Sequence, residues 1–163
     1  FPDGEGTMTT QFLGIKDGKA GFARKREGDV SSLGDDTVGV SEAGVYVESM
    51  TSGTLGKPTL ELPKDLPVGK TWSDKVEIEV GGQKVTQSAN YKVTKEEAIK
   101  TGIGTLNAKL ITVDGTITSG ETKSPLNAKF WYAKDVGLVK MTMSVKAGDV
   151  SQEFSLELKK RGS

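Results

Sequence analysis

The chain has no cysteine and no histidine. Without histidine it has no imidazole general base, no Ser-His-Asp or Cys-His nucleophile and no imidazole metal site. Without cysteine there is no disulfide framework, thiolate zinc site or thiol redox chemistry. Charge of one sign is not in excess either: 22 Lys and Arg balance 22 Asp and Glu. A zero net charge gives no long-range pull toward nucleic acid or an anionic membrane. Long apolar runs are missing too. The longest, Phe130 to Ala133, has four residues, against about 20 for a membrane-spanning helix. The sequence therefore predicts no nucleic-acid partner and no membrane span.

What is abundant is the chemistry of turns and pleated strands. Glycine occurs 21 times in 163 residues, valine 15 times and threonine 17 times. Glycine tolerates the positive φ of tight turns, while Val and Thr are stiff at χ1 and pack well on a sheet. A chain of this length buries roughly two thirds of its unfolded surface as one domain, so no covalent staple is required.

Period-two patterning makes the strands explicit. Trp72, Asp74, Val76, Ile78 and Val80 alternate with polar residues up to Gly81-Gly82, and Val85, Gln87, Ala89, Tyr91 and Val93 alternate beyond it. That is a hairpin with a primed turn, its outer face pairing acids with lysines across the strands. Val139, Met141, Met143 and Val145 lead by way of Ala147-Gly148-Asp149 to Phe154, Leu156 and Leu158, a second hairpin. Leu106 to Val113 reads as a strand, Asp114-Gly115 as its turn and Thr116 to Ser119 as a short return. Phe130 to Ala133 is a strand closed by Asp135-Val136-Gly137. Lys95 to Lys100 is the one helix candidate, of a single turn.

Near the N-terminus a strand ending by Ile15, the turn Asp17-Gly18 and a return through Phe22 to Arg26 echo the later hairpin at an offset of 64 residues. Between the two copies, Lys57-Pro58 and Leu62-Pro63-Lys64-Asp65-Leu66-Pro67 lack the donors of a central ladder and predict a crossing segment or linker. The expected organisation is one β domain, 1–163, with sub-halves 1–62 and 68–163. The expected fold class is all-β: an antiparallel meander of about ten strands curved into an incomplete barrel or open sandwich.

Three stretches carry a family resemblance. Trp131 to Lys140, following Phe130, resembles the W/Y-Y-A-x-x-V-G-x-V-K signature of a group of secreted or lipid-anchored bacterial β-proteins of uncharacterised function. Leu66 to Trp72 resembles that group's P-x-G-x-x-W strand opening, and Gly104-Thr105-Leu106-Asn107-Ala108 its G-T-F-x-A strand start. The resemblance covers residues 66–146; in the first half Met8 stands where the pattern prefers Trp. It implies a strongly curved, half-barrel-like sheet, similar to bacterial lipoprotein carriers, and implies no activity.

For chemistry the chain offers carboxylates and aromatics. Asp35-Asp36, Glu96-Glu97 and the pair Glu77 and Glu79 read as solvated surface charges, as does Arg24-Lys25-Arg26 at a strand end. No acidic run has calcium-loop spacing. Gly102-Ile103-Gly104 opens no helix, and Gly69-Lys70-Thr71 lacks the upstream glycine of a phosphate loop. No cofactor is expected, and the chain reads as a non-enzyme.

The aromatics are the candidate binding residues: Trp72, Tyr91, Phe130, Trp131 and Tyr132. Alternation sets Trp131 on one face of its strand and Phe130 with Tyr132 on the other; either face is open to being the filled one. A start at Phe1 rather than Met points to a processed chain from which a signal or anchor segment has been removed. The sequence thus predicts a secreted, periplasmic or cell-surface bacterial module whose apolar concave face accepts a hydrophobic ligand or envelope protein. The second reading is carbohydrate binding on exposed aromatics, and the third is self-assembly by strand addition.

Overall fold

The computed structural model describes residues 4–147 and 150–160. It contains twelve strands, one turn of 3-10 helix at Ser31–Leu33, and no α-helix among the described residues. The strands are β1 (Gly6–Lys16), β2 (Lys19–Gly28), β3 (Asp36–Ser41), β4 (Gly44–Met50), β5 (Thr54–Leu55), β6 (Thr59–Pro63), β7 (Thr71–Val80), β8 (Gln83–Thr101), β9 (Gly104–Ser119), β10 (Thr122–Ala133), β11 (Gly137–Ala147) and β12 (Val150–Glu157). They form two antiparallel sheets, ordered β1-β2-β3-β4-β6 and β12-β11-β10-β9-β8-β7-β5. Neither sheet closes on itself, so the open all-β class read from the sequence is the class observed.

The chain divides into two compact units. One takes the chain up to Asp65 together with Val76–Thr86; the other takes Leu66–Lys75 together with the chain from Gln87 onward.

Turn chemistry explains the hairpins. Asp17 and Gly18 have φ of 53° and 76°, and Gly81 and Gly82 have 58° and 80°. Both pairs are left-handed at both central positions, which matches the twist of the flanking strands. The β10–β11 connection uses Asp135 at 63° and Gly137 at 101°. Of the expected turn between β11 and β12, Gly148 and Asp149 lie outside the described residues, as do the side chains of 150–154. Leu62 and Pro63 of the expected crossing segment instead end β6, the outermost strand beside β4, and Pro125 lies within β10 opposite Thr116 of β9.

Two expectations are corrected. Lys95 to Lys100 is not a helical turn but the end of β8, a strand of 19 residues. The helix preference of Glu96-Glu97-Ala98 is overridden because Ile99 packs against a buried cluster on the sheet. Asp114-Gly115 is not a turn either: β9 runs through it, with Asp114 opposite Asn127 and Gly115 opposite Leu126. Glycine is needed there for proximity, since a Cβ at 115 would collide with the backbone carbonyl of Ser88 in β8.

Candidate functional site

Trp131 lies in a buried cluster on its face of β10, toward the end of the strand. It is 7% exposed and clusters with Ala108, Leu110, Ala133 and Val139, with Ile99, Leu106, Val136 and Leu158 packed around them. A β-bulge builds half of this environment. Trp131 pairs with Lys140 and Tyr132 with Leu138, leaving Val139 as the extra residue of β11. Two residues of β11 therefore oppose one tryptophan: Val139 is buried against it, and the Lys140 ammonium lies 5.0 Å from the ring centroid. The indole Nε1 donates to Glu97 Oε1 at 2.7 Å, and Lys95 Nζ lies 2.9 Å from Glu97 Oε2. The Trp131 donor first, then Lys95, hold the Glu97 carboxyl below the usual carboxylate range. Every polar and apolar part of Trp131 is thus engaged within its own unit, so it offers no open platform.

Phe130 and Tyr132 occupy the other face. Both are half-buried, their rings 6.4 Å apart and tilted by 39°. Phe130 lies between Ile111 and Met141, both buried, and Tyr132 between Lys109 and Leu138. Lys109 Nζ donates to the carbonyl of Leu66 at 2.7 Å, which ties the proline-punctuated segment to β9.

The remaining two candidates meet across the β7–β8 hairpin. Trp72 and Tyr91 stack with centroids 5.2 Å apart and planes 2° from parallel. The count from the two-residue turn at Gly81-Gly82 sets these two opposite each other, and the Ser73 to Asn90 hydrogen bond of 2.7 Å on the other face agrees with it. Two residues along β7, on the Trp72 side, comes Asp74, and the same count places it opposite Ala89, which has no side-chain donor to offer. Asp74 Oδ1 accepts the backbone N–H of Lys75, but its Oδ2 and the Nε1 of Trp72 are buried with no hydrogen-bond partner. One is a donor and the other an acceptor, on one face of one strand. Such orphaned pairs are uncommon in native interiors and ask for a partner.

A charged cluster in the first unit was not read as such from the sequence. Arg24, on β2, directs Nε and Nη2 to the two carboxylate oxygens of Asp36 at 2.7 Å each, and Nη1 to Glu61 at 3.0 Å. Arg26 adds Nη1 to the carbonyl of Gly34 and Nη2 to Asp36, while its backbone N–H donates to Asp35. The side chains of Arg24 and Asp36 are 15% and 13% exposed, so these are not the solvated charges expected. Burial by itself would lower the Arg24 pKa, but Asp36 and Glu61 raise it above its ordinary value. Burial would likewise raise that of Asp36, yet Arg24 and Arg26 hold it low. The available signal was the alternation itself: the period that turns Phe22 inward also turns Arg24 and Arg26 inward and leaves Lys25 outside. Among the described residues no three Asp or Glu side chains are grouped to hold a metal ion. No helix among the described residues is long and apolar enough to cross a membrane.

Open antiparallel sheets, tight glycine turns and an aromatic strand pinned by its own hairpin define the class: an all-β protein built around a bulged β10–β11 pair. The chain belongs to the DUF3108-like family, whose pattern matches residues 38–156 and so includes Trp131 to Lys140. Among solved structures, a candidate lipoprotein of Parabacteroides distasonis is similar in fold, with a TM-score of 0.58 and 14% identity over 93% of this chain and 86% of that one. The hypothetical lipoprotein YmcC of Escherichia coli aligns over 97% of this chain and 85% of its own, with a TM-score of 0.44 and 11% identity. No curated protein sequence matches the chain.

Proposed function

We propose that this chain is a non-enzymatic module of the bacterial cell envelope that binds an apolar ligand or partner bearing a hydroxyl or amide group. The observation that carries the reading is the stacked Trp72–Tyr91 pair with the buried, unpartnered Trp72 Nε1 and Asp74 Oδ2 beside it. A hydroxyl can accept from the indole and donate to the carboxylate, while the half-buried rings take the apolar body. Each such atom left unmet costs on the order of 1–3 kcal/mol, so a ligand that satisfies both gains specificity as well as affinity. The envelope assignment leans on the lipoprotein named in the P. distasonis structure. The non-enzymatic assignment leans on two carboxylates that converge among the described residues: Asp36 and Glu61 both meet on Arg24, which engages them in ion pairs.

The test uses the two tryptophans. In a Trp131→Phe protein, whose only indole is Trp72, a lysophospholipid below its micellar concentration is expected to shift the emission saturably, and Asp74→Ala to weaken that response about tenfold. A response to N-acetylglucosamine oligomers in place of the lysophospholipid establishes the carbohydrate reading. Silence toward both probes overturns the site.

A further inference from the structure

β1 is the outermost strand of the first sheet, paired on one side by β2 and by nothing on the other among the described residues. From Gly6 to Ile15 it holds ten consecutive uncharged residues in a chain that is 27% charged. Every residue of β1 except Gly14 is exposed, including Met8 at 54%, Phe12 at 57%, Leu13 at 58% and Ile15 at 75%. Proteins shield an outer strand with lysine, proline or brevity. Two of the other three outer strands are shielded in this way, β5 by having two residues and β6 by Pro63, while β12 carries Glu153 and Glu157. β1 is eleven residues long, has no proline, carries lysine only at its last position and is interrupted only by one bulge.

Its two ends are of opposite sign, Glu5 before the strand and Lys16 at its close. Lys16 faces another cation, Lys19, across the β1–β2 turn, and Lys19 leans toward Glu48 at 3.9 Å. The strand also contains a bulge between Phe12 and Gly14, where Leu13 is extra. With the bulge counted as one position, a two-fold axis through Thr10 sets Met8 opposite Phe12 of a second chain. The same register sets Glu5 opposite the second chain's Lys16, and the symmetry repeats both contacts. Parallel pairing would instead oppose Glu5 to Glu5 and Lys16 to Lys16, which is unfavourable.

We infer that β1 pairs antiparallel with β1 of a second copy of this chain about Thr10, joining two five-stranded sheets through an isologous contact. The uncharged edge supplies backbone hydrogen bonds and apolar pairs, and the charged ends select direction and register. The inference is independent of the ligand reading, since β1 shares no residue with that site.

Sedimentation velocity over a concentration series tests it. The wild-type chain is expected to dimerise, and Thr10→Lys, which opposes two ammonium groups at the axis, to abolish the dimer while the β-sheet circular dichroism stays unchanged. Glu5→Lys and Lys16→Glu are each expected to weaken the dimer about fivefold or more. The double swap Glu5→Lys with Lys16→Glu restores it, because the cross pairs are re-formed with sign reversed. A wild-type chain that remains monomeric at several hundred micromolar overturns the inference. So does a dimer indifferent to Thr10→Lys, or a double swap no tighter than either single change.

Discussion

Trp131 and Glu97, 34 residues apart, are joined by a 2.7 Å hydrogen bond from the indole to the carboxylate, on the same ring that Lys140 covers. Because folding lowers the Glu97 pKa, its contribution is complete above the ordinary glutamate value of about 4.3 and is lost as pH falls through the lower folded value. In a Trp72→Phe protein the emission of Trp131 is therefore expected to hold steady from neutral pH to about pH 5 and to change only at more acidic pH. Glu97→Gln, which keeps an acceptor oxygen but does not titrate, removes that acid transition. A transition that persists in the Gln variant rules the bond out as its origin.

Arg24 is the hub of the first unit's charges, and its removal leaves Asp36 and Glu61 without their cation. Breaking a pair of this burial by deleting one partner costs about 3–5 kcal/mol, so Arg24→Ala is expected to lower the melting temperature at pH 7 by about 6 to 20 °C. Arg24→Lys keeps a charge but not the planar fork, and falls between the two. The gap between wild type and Arg24→Ala narrows as pH falls through the depressed Asp36 pKa, because protonation removes the buried anion in both proteins. Thermal unfolding of the three proteins at neutral and acid pH checks both the ranking and the narrowing.

These two relationships also mark where sequence reasoning stops. Hairpins were legible because their information is local: Asp17-Gly18 and Gly81-Gly82 supply positive φ where alternation changes strand. The opposing faces of Trp131 and of Phe130 with Tyr132 were legible for the same reason. That the indole would be covered was not, because Val139, Leu158 and Glu97 come from three other places in the chain. The Arg24 cluster was hidden by adjacency: Asp35-Asp36 looks like a solvated pair until the β2–β3 register sets Asp36 opposite Arg24. Asp-Gly at 114–115 misled because one dipeptide serves two needs, a turn and a close approach, and only the neighbouring strand distinguishes them. The orphaned atoms of Trp72 and Asp74 depend on what does not sit opposite them, and no local pattern reports that.

Gly115 converts that ambiguity into a measurement. A Cβ at this position meets backbone of β8, which cannot rotate away as a side chain could. Gly115→Ala is expected to destabilise by about 1–3 kcal/mol through strain between β8 and β9. Gly56→Ala, where an added Cβ meets nothing within 4 Å, serves as the comparison and is expected to leave the melting temperature within about a degree or two. Equal effects from the two substitutions would show that backbone entropy, not proximity, is what Gly115 supplies.

The β11 bulge predicts an order of importance for the two residues that face Trp131. Val139 is 1% exposed inside the cluster, so Val139→Ala removes buried methyl groups and opens a small cavity, at a cost of about 2 kcal/mol. Lys140 lies over the ring from a half-exposed position, and Lys140→Met keeps most of the covering stem, losing only the cation–π attraction of about 0.5–1 kcal/mol. Deleting Val139 outright restores regular pairing between β10 and β11, because Trp131 to Lys140 and Tyr132 to Leu138 then run in one register. The deletion should therefore fold, with a loss close to that of Val139→Ala. Denaturant unfolding that ranks Lys140→Met as the costlier change, or a Val139 deletion that fails to fold, would show that the bulge sets the strand register and not the packing around Trp131.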